Sequence, residues 1–460
     1  MDSGRFERVL CASVFLFLFI GALGAKAQSH VVETYRSAAD QLIEAALADA
    51  NGWERLAYMV DTFGPRLSGS ENLERSIDWA LAELTADGFE NVRGDEVMVP
   101  HWVRGEERLT MIAPRIADMR LLGLGRTVAT PAEGIRAEAL VVSSFEELEA
   151  RSSEAEGRIV VFNAPFTNYG ESVQYRVRGA SEAAKHGAVA ALIRSVTPFS
   201  MQTPHTGMMR YQDGIRQIPA AAITVEDALL LERFQRRGQE VVLELFMEGR
   251  TLPDARSRNV IAEIRGSARP DEVVVMGGHI DSWDVGTGAM DDAGGCVAAW
   301  QALVLMKQLG LQPRRTVRLV LWTNEENGLR GALDYRDRYL DELDRHVLAI
   351  ESDAGVFRPT GFGFSGSDAA YELVRQVGSL LDGIDAGTIV RGGGGADIGP
   401  IMREGVPGMG LNVDPTRYFW YHHSEADTID KLDRDDFNRS VAAMAVMAYV
   451  VADMEYALPR

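Results

Sequence analysis

Cysteine is nearly missing from this chain: Cys11 and Cys296 are the two in 460 residues. Cys11 falls in an N-terminal stretch expected to be removed, and the single thiol that remains cannot close an internal disulfide. Stability must then come from a packed core, with bound metal as a further contributor. Cys296 precedes Val-Ala-Ala-Trp at the start of an expected helix. It is expected to be buried as a small apolar residue, not to act as ligand or nucleophile. Positive charge is also scarce. Lys and Arg number 47 against 67 Asp and Glu, a formal charge of -20. A surface of that sign repels phosphate backbones, which argues against a nucleic-acid partner, and the surplus serves solubility. Beyond residue 24 there is no apolar run long enough to span a membrane, no internal repeat and no long low-complexity tract. What remains is ordinary globular material, 46% hydrophobic and 25% charged. That is enough for a sizeable core divided into two or three domains.

The first 27 residues differ from the rest. Arg5 and Arg8 precede an apolar run from Val9 to Ile20, and Ala25-Lys26-Ala27 has the small-x-small pattern of a cleavage site. This is the signature of a secretory signal peptide, with an uncleaved anchor as the alternative. The mature chain is expected to be secreted or periplasmic and free of the membrane after cleavage.

Residues 29–55 carry helical patterning, with Leu42, Ile43, Ala46 and Leu47 on one face. Gly64-Pro65-Arg66-Leu67-Ser68-Gly69-Ser70 is a turn-rich loop. A helix over 71–87 stops at Gly88, and 92–103 is extended. Between about 123 and 249 the texture is β-rich: short runs at 139–142, 158–162, 190–193, 221–224 and 241–246 alternate with charged turns, and one helix is expected over 179–186. Residues 250–258 contain Pro253 and several charges and are expected to be a return linker. From Asn259 the pattern becomes α/β. Strands at 273–276, 316–322, 347–350 and 408–412 alternate with helices at 296–308, 329–340, 369–381 and 434–454, which predicts a largely parallel sheet covered on both faces.

In such sheets ligands bind beyond the carboxyl ends of the strands. Those ends carry Gly277-Gly278-His279-Ile280-Asp281-Ser282, Thr323-Asn324-Glu325-Glu326, Glu351-Ser352-Asp353 and, after a loop, His422-His423-Ser424. Imidazole mixed with carboxylate is the donor set that zinc takes in the absence of thiolate. Met290-Asp291-Asp292-Ala293 adds two adjacent carboxylates in a glycine-rich turn, which is costly unless a cation compensates. Alone, Asp292 would be a helix N-cap and Asp291 a solvated loop residue. Adjacent Glu325 and Glu326 would face opposite ways in a regular strand, so both reach one site only if the strand has ended by Asn324.

His279-x-Asp281-Ser282, Met290-Asp291-Asp292-Ala293, Asn324-Glu325-Glu326, Ser352-Asp353 and His423-Ser424-x-x-Asp427-Thr428 together resemble the co-catalytic zinc exopeptidases, a family that includes bacterial zinc aminopeptidases and glutamate carboxypeptidase II. The resemblance implies an α/β zinc-peptidase domain made of residues 28–122 and 250–460, with a β-rich protease-associated insertion at 123–249. It implies two Zn2+ per subunit: His279 and Asp353 on one, Glu326 and His423 on the other, Asp291 bridging. It makes Glu325 the general base and Asp281 the carboxylate that orients His279. It further implies a cis bond after Asp291, short peptide substrates with free termini and a homodimer. Carboxypeptidase and aminopeptidase action both fit, and a catalytically inactive receptor-like homologue is the rival from another class. His422 competes with His423 as ligand, and family spacing favours His423. Asp397 occupies the place of a cleft carboxylate. His101, His186, His205 and His346 lack metal-like spacing.

An exported product should begin at Gln28. Intact-mass measurement of secreted protein checks this, and retention of Met1–Ala27 on a membrane-bound form would contradict it.

Overall fold

The computed structural model describes residues 31–460, so the expected signal peptide lies outside the described residues. Two eight-stranded sheets organise the chain. The first contains β1 (Glu90–Val103), β2 (Arg250–Ile264), β3 (Arg269–His279), β4 (Arg315–Trp322), β5 (His346–Glu351), β6 (Pro359–Ser365), β7 (Thr388–Arg391) and β8 (Gly408–Val413), in the spatial order β1-β2-β4-β3-β5-β8-β6-β7. The four central strands β4, β3, β5 and β8 run parallel, while β1, β2 and β6 join antiparallel. The parallel centre brings four carboxyl ends to one edge of the sheet.

β4 is buried along its whole length, as a Val- and Leu-rich strand covered on both faces should be. Successive side chains of β3 divide between two layers. Val274 and Met276 join the larger core and Val273 and Val275 the smaller one on the other face. Helix α1 (Gly294–Gln308) is apolar nearly all round and buried from Gly294 to Met306, wedged against the sheet beside α2 (Arg434–Asp453). Cys296 is buried within α1, as a small apolar residue would be. Among the described residues no helix is long and apolar enough to cross a membrane.

The second sheet takes strands from Glu107–Ala113, Ala117–Met119 and Leu121–Gly123 as well as five later ones, ending with Val242–Met247. Its central strands Ile135–Val142, Ile159–Phe162, Ala190–Arg194 and Ala220–Ile223 are parallel, and helices Tyr169–Lys185 and Val225–Arg236 pack on them.

Several sequence expectations change. Residues 250–258 are not a linker but the first half of β2, paired antiparallel with β1 along a ribbon that leads from one sheet to the other. Pro253 is accommodated because a register shift between Val99 and His101 falls opposite it, where a missing N–H costs no ladder bond. The helix expected over 179–186 starts at Tyr169, because Asn168 caps it by accepting from the Glu171 amide at 2.9 Å. β6 and β7 have no counterpart among the expected strands: Gly-Phe-Gly-Phe lacks the β-branched residues that mark a strand, and the pairing with β8 supplies what local propensity does not.

Candidate metal and active site

His279 is the last residue of β3, at the edge where the parallel strands end. Its Nε2 lies 3.2 Å from Asp291 Oδ1 and 3.3 Å from Asp353 Oδ1. On the far side of the same aspartate, Asp291 Oδ2 lies 3.4 Å from His423 Nε2, and His423 Nε2 is 3.0 Å from Glu326 Oε2. One carboxylate thus stands between two imidazole–carboxylate pairs. His422 stacks on His423 with ring centroids 3.5 Å apart, and its Nε2 is 3.6 Å from Asp291 Oδ2. His279, Asp291 and Glu326 offer donor atoms within 4.8 Å of one another, as do His279, Asp292 and Asp353, and Asp291, His422 and His423. Asp291 Oδ2 and Glu326 Oε1 are buried and accept no well-formed hydrogen bond. Unpaired buried carboxylate oxygens are costly, and a cation among them removes the cost.

The approach of these groups is local in origin. β4 ends at Trp322, and Asn324 turns into the left-handed region at φ 68, which breaks the strand alternation and lets both Glu325 and Glu326 reach the site. The Asp291–Asp292 peptide bond is cis, as the family resemblance implies. Asp292 accepts from the backbone amides of His279 and Gly295, both at 3.1 Å, and so ties the end of β3 to the start of α1. A Cβ at Gly278 or Gly295 would overlap that carboxylate, which is why glycine stands at both positions.

Each candidate ligand ring is fixed through its other nitrogen. His279 Nδ1 is 2.9 Å from the backbone carbonyl of Asp281, so the proton belongs on Nδ1 and the Nε2 lone pair faces the carboxylates. The Asp281 carboxylate, expected to hold this ring, lies 3.8 Å from it and instead accepts from the amides of Glu325 at 3.0 Å and Glu326 at 3.4 Å. Asp281 positions the glutamate loop through its side chain and His279 through its backbone. His423 Nδ1 lies 3.3 Å from the carbonyl of Thr206, a residue of the second sheet's unit, and the Thr206 amide donates back to the His423 carbonyl at 2.9 Å.

The electrostatics follow from burial. Burial pushes the Glu326 carboxyl up to about 7, with Asp291 adding to the effect. Burial, Asp353 and Glu326 hold Glu325 well above the usual carboxylate range. Burial opposes charge on Asp291 as well, but His279 and His423 outweigh it and bring its carboxyl well below that range. Burial works against charge on His423, yet Glu326 and Asp291 lift it to about 10. Asp397 is buried with both oxygens unpaired, and burial, Glu351 and Glu325 raise it strongly. The other histidines stand apart: His205 Nδ1 meets the His422 carbonyl at 2.6 Å, His346 pairs with Tyr335 at 3.0 Å, His186 lies 3.2 Å from Glu149, and His101 packs against Gly69.

The sequence model of peptidase family M28 matches residues 259–448. Carboxypeptidase Q of Mus musculus is 51% identical over 408 residues, 89% of this chain and 87% of the relative. The chain belongs to peptidase family M28. A peptidase M28 precursor from Shewanella amazonensis superposes with a TM-score of 0.89 at 34% identity, covering 93% of this chain and 99% of that one. A zinc aminopeptidase from Bacillus subtilis shares the fold, with a TM-score of 0.67, 18% identity and coverage of 88% and 95%. The M28 chain is accordingly a zinc metallopeptidase.

The sequence gives no role to four residues that support this cluster. Arg66, fully buried, donates to the carbonyls of Ile280, Gly64, Thr287 and Gly288 at 2.7–3.0 Å and so frames the loop that leads to Asp291. Its signal is an arginine inside an otherwise small-residue loop. Asp427, which enters the sequence argument only through its spacing, accepts from the amides of Met290 at 2.7 Å and Asp291 at 3.2 Å. Thr206 and Arg176 brace His423 from a segment more than two hundred residues away, and no local pattern announces that contact. Asp427→Ala leaves two buried amides without acceptors, a loss of about 1–3 kcal/mol for each. The expected result is lower stability in chemical denaturation together with reduced metal per chain. Unchanged metal content would contradict this role for Asp427.

Proposed function

We propose that this M28 peptidase is an exported enzyme with two Zn2+ per subunit that hydrolyses dipeptides or short peptides with free termini and acts as a homodimer. The observation that carries the reading is the placing of Asp291 between His279 with Asp353 on one side and Glu326 with His423 on the other. Two cations held close together need a shared anion, and the unpaired oxygens of Asp291 and Glu326 suit such a role. Zinc bound here would supply Lewis-acid polarisation of the scissile carbonyl and would acidify water.

The chain's own groups do the rest. Glu325 is partly open to a cleft of about 490 Å³ that also exposes Asp353, whereas Glu326 is buried. That exposure supports Glu325 as the residue that takes a proton from attacking water and returns it to the departing amine. Asp281 fixes that loop, and Asp427 and Asp292 fix the bridging aspartate. Carboxypeptidase Q relatives favour carboxypeptidase over aminopeptidase action. The second sheet's unit, whose strands begin at Glu107, ahead of the expected boundary at 123, and end at Met247, is assigned as a protease-associated insertion that walls the cleft and limits it to short substrates.

Glu325→Gln should keep its metal, lower dipeptide turnover by roughly 10²–10⁴ and leave substrate affinity nearly unchanged. Glu326→Gln should lose metal first and recover part of its activity in excess zinc. Metal stoichiometry and turnover of both variants across a zinc titration check this. Metal loss in Glu325→Gln with retention in Glu326→Gln would reverse the two roles, and full turnover with full metal in both would overturn the mechanism.

A further inference from the structure

A second buried polar network lies toward the amino ends of the central strands, away from the metal cluster. It centres on His346, the first residue of β5 and 1% exposed. Both ring nitrogens are engaged. Nδ1 lies 3.0 Å from the carbonyl of Glu342, which can only accept, so the proton belongs on Nδ1. Nε2 lies 3.0 Å from the Tyr335 hydroxyl, which itself accepts from Arg318 Nη1 at 3.0 Å. The hydroxyl proton is then directed to the Nε2 lone pair. Hydrogen bonds thus run one way, from the Arg318 guanidinium through Tyr335 to the imidazole and on to the Glu342 carbonyl. That chain closes only around a neutral ring.

Nothing around the ring answers a second proton. The acids nearby are already engaged. Glu263 of β2 holds Arg318 of β4 at 2.6 Å and accepts from Asn91 at 2.5 Å. Asp95 of β1 accepts from the Tyr339 hydroxyl at 2.9 Å and pairs with Arg93 at 3.2 Å. Glu272, beside the β3 residue that pairs with His346, is taken by Arg315 at 2.5 Å. Before β5, Asp344 and Arg345 pair at the surface at 3.8 Å, and the Glu342 side chain is exposed. Arg460 donates to the carbonyls of Leu343 and of His346 itself. Among the described residues no carboxylate oxygen lies within 4.0 Å of either ring nitrogen of His346. Burial, with the Arg318, Arg460 and Arg345 cations behind it, brings the imidazole down from 6.5 to about 4. A protonated ring would set a second donor beside Arg318 on the one Tyr335 oxygen, and the hydroxyl proton would lose its acceptor. The entry to β5 is also irregular: its register against β3 slips between His346 and Leu348, which leaves Val347 at a bulge. From there the strand leads through Glu351 to Asp353.

We propose that His346 is an acid-sensitive latch: its neutral ring joins β4 and the helix Arg330–Arg338 to the start of β5, and a second proton breaks that join and loosens the strand that leads to Asp353. The latch is separate from the metal cluster and independent of which peptide bond the cluster cleaves. Its consequence is that the intact strand, and with it the hold on metal, belongs to near-neutral surroundings. The direction follows from the lowered basicity of the folded ring. Stabilisation is fully present above the ordinary value of 6.5 and is lost as pH falls toward 4.

The test compares the zinc-loaded mature enzyme with its His346→Gln variant, whose carboxamide can accept from Tyr335 but takes up no proton in this range. Amide hydrogen exchange over residues 343–353 is read by mass spectrometry at about pH 7 and about pH 4.5, corrected for the intrinsic pH dependence of exchange. In the wild type, protection should fall by about 10- to 100-fold, the linkage effect of a histidine carried from 6.5 to about 4 on folding. His346→Gln should lack that step. Acid also protonates the metal ligands, but equally in both proteins, so the difference between them belongs to His346. Zinc release on acidification, followed with a chromophoric chelator, should begin nearer neutrality in the wild type than in His346→Gln. Exchange of the ring C2 hydrogen of His346, read in the wild type alone, should show a titration midpoint well below 6.5, a result that stands even where the Gln variant fails to fold. Tyr335→Phe removes the donor to the neutral ring and should shrink the acid step. An equal fall in protection in wild type and His346→Gln would overturn the latch. So would zinc release at the same pH in both, or a ring midpoint at or above 6.5.

Discussion

Everything around the strand ends depends on the sharing of one carboxylate. Asp291 meets an imidazole through each of its oxygens, and each imidazole meets a further acid. Asp281, Asp292, Glu351, Asp397 and Asp427 are buried in the same region. Moving an isolated charge out of water costs several kcal/mol even after relaxation, so such a group of acids persists only with compensation. The histidines and Arg66 compensate in part, and metal bound here would complete the balance. The cost is set by the fold, and a metal that answers it would also supply the chemistry.

That constraint explains why so many supporting contacts end on backbone atoms. Arg66 donates to loop carbonyls, Asp427 and Asp281 accept from loop amides, and Asp292 joins a strand end to a helix start. Fixing the backbone fixes side chains that electrostatic repulsion would otherwise drive apart. The second sheet contributes to the same end. Thr206 exchanges backbone contacts with His423, whose φ of 58 is itself unusual for a residue bearing a side chain. The second sheet's unit thus lines the cleft and braces the His423 ring.

Much of this architecture is legible in the amino-acid sequence. The parallel centre follows from alternating apolar runs and helical patterns, and the ligand candidates follow from asking what stands just beyond each strand. Asn324 tells correctly against continuation of β4. What stays hidden depends on partners distant in sequence. β2 looks like a linker because its charges and Pro253 suit solvent, and only the presence of β1 makes it a strand. β6, rich in glycine, becomes a strand through β8. The family resemblance implies that the ring of His279 leans on the Asp281 carboxylate, but the turn after β3 brings the carbonyl of that residue to Nδ1 and sends its side chain to the glutamate loop. Spacing identifies which residues meet, while the atoms through which they meet are decided by backbone direction.

The most direct test is the position of metal in zinc-loaded crystals of the mature chain, read from anomalous scattering at the zinc edge. The account predicts two peaks flanking Asp291, one beside His279 and Asp353 and one beside Glu326 and His423. A single peak, or a second one that does not touch Asp291, would contradict it.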